Sequence, residues 1–230
     1  MITIVHLYPR ELGINGDVGN VTALRRRAEW RGMPVRAIDV GPGDALPGTA
    51  HLVHIGSGPA SSRAPLHEDV ARLAPTLQAW AADGVPFLAI AAGWQLLGRE
   101  VIELDRTVRA GARVFPSAAI VSAERTVGEV AGESELGEVA GFVNYGATTI
   151  LDRGVASLTR IAGTEDGLVA GNLVGTNLHG PFLPMNPVWA DRLLDAAAGR
   201  AGLTPKADDP RIAVIDDRAR RSRDAIRSRL

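Results

Sequence analysis

The run Val85-Pro86-Phe87-Leu88-Ala89-Ile90-Ala91-Ala92-Gly93-Trp94-Gln95-Leu96-Leu97-Gly98 describes a buried strand that turns sharply into a helix. Ala89 and Gly93 lie two residues to either side of Ala91, and small residues there let the backbone fold tightly around position 91, as in a nucleophile elbow. Whatever stands at 91 is displayed at the carboxyl end of a strand and at a helix N-terminus. A thiol in that place would have a lowered pKa, and the N–H of Ala92 would point at a developing oxyanion. The residue is alanine, and the chain contains no cysteine at all. Disulfides, thiolate metal sites and thiol chemistry are thereby excluded. On spacing alone the segment also fits an ordinary strand-to-helix turn.

A second element, Gly175-Thr176-Asn177-Leu178-His179-Gly180-Pro181-Phe182-Leu183, presents His179 after an apolar strand, where an imidazole can serve as a general base. A lone histidine beside glycine is equally a surface residue. A third, Gly56-Ser57-Gly58-Pro59, follows an apolar strand with a flexible backbone that would supply a second oxyanion N–H from Ser57.

The elements that must position these residues alternate. Strands are expected at Ile2 to Leu7, Val35 to Val40, Leu52 to Ile55 and Phe87 to Ile90, with helices from about Val21 to Arg31 and Glu68 to Ala82, the latter kinked or split by Pro75. Strand and helix in alternation imply a mostly parallel sheet, and continuously apolar strands imply burial on both faces. The expected fold class is therefore α/β, a three-layer doubly wound core with Ala91 on a central strand at the topological switch point. Residues from about Gly111 to Asn172 read as strand-rich, and a helix from Pro187 to about Ala201 is signalled by Asn186 as a possible cap and by proline at the first position.

With 230 residues and no interior linker, one domain over 1–205 is expected, followed by an Arg-rich helix or tail over 206–230 whose alternation of acids and arginines begins at Asp208. Lys plus Arg (25) nearly balances Asp plus Glu (26), which gives no footprint for nucleic acid or an anionic membrane. No apolar run approaches the ~20 residues of a membrane span, and the opening residues read as a strand rather than a signal peptide, so a cytoplasmic protein is expected.

Taken together, Gly16-Asp17-Val18-Gly19-Asn20, Leu24-Arg25-Arg26-Arg27, Glu29-Trp30-Arg31-Gly32, the elbow, Arg125-Thr126-Val127-Gly128-Glu129, Gly141-Phe142-Val143-Asn144 and His179-Gly180-Pro181 resemble the glutaminase (GatD-type) subunits of lipid II isoglutaminyl synthases. These belong to the cobyric acid synthase-like branch of class I glutamine amidotransferases, whose fold is flavodoxin-like. The resemblance runs from the N-terminus to about Leu194. It implies a subunit that releases ammonia from glutamine, with no cofactor or metal of its own, for a Mur-ligase-like, ATP-dependent (MurT-type) partner that amidates the D-glutamate of lipid II. It places the family's cysteine at Ala91, its base at His179, and substrate-holding residues at Arg125 and Gln95, with Ser57 and Ala92 as oxyanion donors. A guanidinium suits the first of these roles, because it grips a carboxylate bidentately. The glutamate that many class I enzymes carry two residues after the histidine is replaced by Pro181, which leaves a partner's acid to complete a triad.

Alanine has no nucleophile, so glutaminase turnover is expected to be lost. The alanine is either an introduced change or a natural loss. Val143 and Tyr145 replace a family glutamate and histidine, and Pro59 and Ala60 replace polar or acidic residues, which favours natural divergence toward a pseudoenzyme. A non-catalytic subunit whose ligase partner uses free ammonia or an amino acid amine is the alternative. A corrinoid-type amidotransferase is disfavoured, since no fused synthetase domain accompanies the motifs.

Overall fold

The structure is a computed structural model and describes residues 1–161, 164–206 and 209–230. In chain order its first half comprises β1 (Ile2–Leu7), α1 (Val18–Trp30), β2 (Val35–Val40), β3 (Leu52–Ile55), α2 (Ala60–Arg63), α3 (Leu66–Ala82), β4 (Phe87–Ile90) and α4 (Ala92–Leu97). These four strands have the bounds read from their apolar, β-branched runs. α3 is one element with Pro75 inside it. The expected split there is absent.

The second half adds β5 (Glu100–Ile102), β6 (Val108–Ala110), β7 (Ser117–Ser134), β8 (Gly137–Leu151), β9 (Thr159–Ile161), β10 (Thr164–Asp166), β11 (Leu168–Ala170), β12 (Leu173–Thr176) and β13 (Leu178–His179). Three helices close the chain: α5 (Phe182–Met185), α6 (Pro187–Arg200) and α7 (Pro210–Arg227). Asp208, where the sequence places the start of the Arg-rich tail, lies outside the described residues.

The core sheet runs β11-β12-β4-β3-β1-β2 and is parallel except for β11, which lies antiparallel to β12. Side chains alternate across it. Leu88 and Ile90 join Leu24 of α1 and Trp189 and Leu193 of α6 in one apolar cluster, while Phe87 and Ala89 join Leu73 and Leu77 of α3 and Trp94 of α4 in the other. Three layers result, as the doubly wound expectation requires. The strand order reverses between β1 and β3, one strand away from β4, so loops after β1, β3 and β4 together border the crevice at the carboxyl edge.

A second sheet is built on the long β7–β8 hairpin, to which β13 adds through Leu178↔Val143 and His179↔Phe142. Val121 pairs with Ala147 but Thr126 pairs with Tyr145, so residues 122–125 bulge out opposite Gly146. Asn186 precedes α6, but its side chain does not cap that helix. Its Oδ1 accepts from the Ala140 N–H at 3.0 Å and its Nδ2 donates to Ala140 O at 2.9 Å, fastening α6 to β8.

α7 straps the two halves. Arg27, buried on α1, donates to Asp191 of α6 (2.9 Å) and to Asp216 of α7 (2.6 Å), while Arg229 reaches Glu129 of β7 at 2.6 Å. Arg220 and Arg221 pair with Asp217 on the helix itself. The arginine-rich end is thus largely neutralised in place.

His6 and His54 stack inside the sheet with ring centroids 5.2 Å apart, and burial pushes both from 6.5 down to about 4. The unfolded chain therefore takes up protons between those values that the folded chain refuses, so stability is complete above about pH 6.5 and falls as pH drops toward 4. We expect the urea midpoint to decline across that window and His6→Leu to flatten the decline. A midpoint unchanged over that range contradicts it.

Candidate active site

Ala91 leaves β4 with φ 41° and ψ −105°, a left-handed conformation that a non-glycine residue adopts at a cost of roughly 1–3 kcal/mol. The strain persists because the turn is wedged. The Gly93 N–H donates to Gly56 O at 3.1 Å, and a Cβ on Gly93 would stand 2.4 Å from that same oxygen. Gly93→Ala is expected to cost about 1–3 kcal/mol by forcing the two loops apart, measurable as a lower urea midpoint. An unchanged midpoint would show that the loops can separate freely.

A cavity of about 410 Å³ opens beside Ala91 and is bordered by Ser57, Ala92, Gln95, Arg125 and Tyr145 among others. The Ala92 N–H belongs to the first turn of α4, where no intrahelical acceptor exists. Ser57 reaches the wall, but its N–H donates to Asp17 Oδ2 at 2.8 Å instead of facing the cavity. Its expected oxyanion role is not the geometry of this structure.

His179 is wholly buried and is not a wall residue of this cavity. Its Nδ1 lies 3.3 Å from Asp17 Oδ1, both side chains being fully enclosed, and its Nε2 has no hydrogen-bond partner. An Nδ1–H directed at the carboxylate leaves Nε2 with its lone pair, the form a general base needs. One carboxylate thus joins the imidazole to the loop that carries Ser57. Asp17 begins α1 and makes no side-chain cap, because its oxygens are turned to these partners. An acid of this chain thus already stands at the imidazole.

Two sequence motifs interlock to bring this about. A Cβ on Gly19 would stand 2.7 Å from Pro181 Cγ, so only glycine lets α1 approach the segment after His179 so closely. Asn20 Oδ1 then accepts from the Leu183 N–H at 2.8 Å. Below, His54 lies between Leu88 O (3.1 Å) and Asp17 O (3.2 Å), and as a neutral ring it donates to one of the two. Asp166, whose carboxyl burial pushes upward, accepts from Thr176 Oγ1 (2.9 Å) and Asn177 Nδ2 (2.8 Å) and so fixes the turn between β12 and β13.

Arg125 comes from the hairpin bulge and donates through Nη2 to Asn144 Oδ1 at 2.6 Å and Asn144 O at 3.2 Å. Gln95 accepts from Arg63 Nη1 at 2.8 Å, and Arg63 is in turn held by Glu103 at 2.6–2.7 Å. The structure therefore brings Ala91, Ala92, Ser57, Gln95 and Arg125 to one cavity, while His179 is buried against Asp17 and is not among its walls. Pro59, Ala60 and Tyr145 are also walls, and burial holds the Tyr145 hydroxyl above its ordinary pKa. Val143 is not a wall. It packs in the apolar cluster with Val139 and Leu178, which corrects its grouping with pocket substitutions.

Sequence reasoning missed Asp17, Arg63, Glu103 and Asp166. The signal for Asp17 was an acid between two glycines at a helix start. Among the described residues no group of three or more His, Cys, Asp or Glu can hold a metal ion, and no helix is long and apolar enough to cross a membrane.

Residues 3–187 match the CobB/CobQ-like glutamine amidotransferase domain. Subunit GatD of the lipid II isoglutaminyl synthase (glutamine-hydrolyzing) of Staphylococcus aureus strain N315 is 31% identical over 237 residues, covering 96% of this chain and 98% of the relative. A crystal structure of a glutamine amidotransferase aligns with TM-score 0.60 at 17% identity, over 84% of this chain and 98% of that one. The glutaminase domain of Trypanosoma brucei CTPS with bound acivicin aligns with TM-score 0.57 at 10% identity, over 91% and 98%. At such identities the structural likeness establishes the α/β fold alone.

Proposed function

The chain belongs to the CobB/CobQ-like glutamine amidotransferase family, and from that premise we propose that it is the amidotransferase-like subunit of a lipid II isoglutaminyl synthase-type complex, inactive as a glutaminase. Its partner in this reading is a cytoplasmic, Mur-ligase-like, ATP-dependent synthetase that activates the α-carboxyl of D-glutamate in the peptidoglycan stem. The observation that carries the reading is the strained elbow at Ala91 in a chain that also holds an intact buried Asp17–His179 pair. A non-glycine residue at φ 41° between a strand end and a helix start is the geometry that displays a nucleophile to the cavity it borders.

In the active form of such a site the roles divide by chemistry. Arg125 grips the substrate's α-carboxylate, Gln95 orients the side-chain end, a thiolate at 91 attacks the amide carbon, and His179 moves the proton to the leaving ammonia while Asp17 holds its tautomer. Here Ala91 cannot make the attack. Ammonia must then reach the ligase from solution, and the subunit's contribution becomes structural or regulatory.

The test is reconstitution with the ATP-dependent ligase on a lipid II acceptor. Co-elution and amidation supported by ammonium but not by glutamine are expected. Amidation with glutamine would sink the inactive reading, and failure to co-elute would sink the subunit reading.

A further inference from the structure

We propose that the cavity beside Ala91 is a receptor site for a small dicarboxylate of the glutamate class, held without turnover and preferred over glutamine. The inference rests on the amidotransferase-derived reading of this site and names what the altered site now takes.

The two charged side chains on the wall, Arg63 and Arg125, are both donors. Arg125 bonds only to neutral oxygens of Asn144, and both bonds use Nη2, so its charge and its remaining N–H groups are open to a ligand. Arg63 donates through Nη1 to Gln95 and through Nη2 to Glu103. A guanidinium can only donate, so Gln95 must turn its oxygen to Arg63, which leaves its NH₂ group for the cavity it borders. No aspartate or glutamate side chain is a wall of this cavity among the described residues.

An acceptor-rich ligand satisfies both fixed donors, with one carboxylate on Arg125 and the other at Gln95. Glutamine brings a carboxamide to the second position, where its N–H groups face the Gln95 NH₂ donor and a carboxylate offers that donor an acceptor. Sites discriminate strongly when the wrong ligand leaves polar groups unpaired. In a thiol-bearing site the thiolate would repel a second carboxylate and offset this preference. The Ala91 methyl removes that repulsion, so the substitution that ends hydrolysis also turns the site from amide toward acid.

Isothermal titration of the full chain with L-glutamate, 2-oxoglutarate and L-glutamine tests the proposal. At least one dicarboxylate is expected to bind about tenfold or more tightly than glutamine, and the two dicarboxylates separately show whether the α-ammonium is recognised. Arg125→Ala should weaken the dicarboxylate at least tenfold. Gln95→Glu, which can keep the Arg63 contact but deletes the free donor, should abolish binding with an unchanged circular dichroism spectrum and urea midpoint. Tighter glutamine binding, no heat from either dicarboxylate, or an unaltered affinity in Gln95→Glu overturns it. Dicarboxylate binding without ligase co-elution would sink the subunit reading alone, and co-elution without dicarboxylate binding would sink this inference alone.

Discussion

Glutamine given to this chain, alone or with a ligase partner, is expected to remain unhydrolysed above the uncatalysed background. The reaction needs a nucleophile at the elbow to form the acyl intermediate, and Ala91 offers a methyl group. His179 cannot substitute, since its ring is buried, is not among the cavity's walls and is tied to Asp17. Removing the nucleophile from a comparable hydrolytic site lowers turnover by about a millionfold. Ammonia release followed by an enzyme-coupled assay reads this directly. Release that scales with enzyme concentration and disappears in His179→Ala would mean that the site has another route to the amide carbon.

Restoring the thiol with Ala91→Cys is expected to recover only weak glutaminase activity with the partner present. In its favour, the elbow is already strained into shape and the Asp17–His179 pair is formed. Against it, the Ser57 N–H donates to Asp17 and not into the cavity, so the oxyanion would be left with the Ala92 N–H alone. Loss of one such donor costs about a hundred- to a thousandfold. The walls at Pro59 and Ala60 lack the polar groups of the family pattern and Tyr145 puts a phenol where the pattern has an imidazole, and a misplacement of ~1 Å costs about another hundredfold. Whatever activity returns should vanish in Ala91→Cys with Asp17→Asn, because the imidazole loses the carboxylate that sets its tautomer. Turnover of ~1 per second or more in the single variant would lie in the ordinary enzyme range. The pseudoenzyme reading would then be abandoned.

The core was legible because its signal is local. Leu88 and Ile90 on one face with Phe87 and Ala89 on the other make a run that only a doubly covered strand tolerates, and β1, β3 and β4 have the bounds read from such runs. The elbow was legible from the small residues flanking Ala91. Asp17 was not, because its role depends on loops that meet only in the fold, and an acid at a helix start reads as a cap. Asn186 misled for the same reason, since its capping chemistry is turned to β8. The bulge that carries Arg125 left no periodic trace, and without the family resemblance that residue reads as surface charge.

The partners in the Asp17–His179 pair are separated by 162 positions in sequence, and those in the Arg27–Asp216 pair by 189. Closing such long loops is entropically unfavourable and comes late in folding. During synthesis β1, β2, β3 and β4 can assemble while β12 is still to be made, and until it arrives Phe87-Leu88-Ala89-Ile90 is a bare apolar edge. An unpaired edge of that kind recruits other chains. A nascent or truncated chain ending before Leu173 therefore carries its aggregation hazard at the strand that leads to Ala91, and the polypeptide from Leu173 onward acts as the cover for the edge that the segment before Ala91 leaves bare.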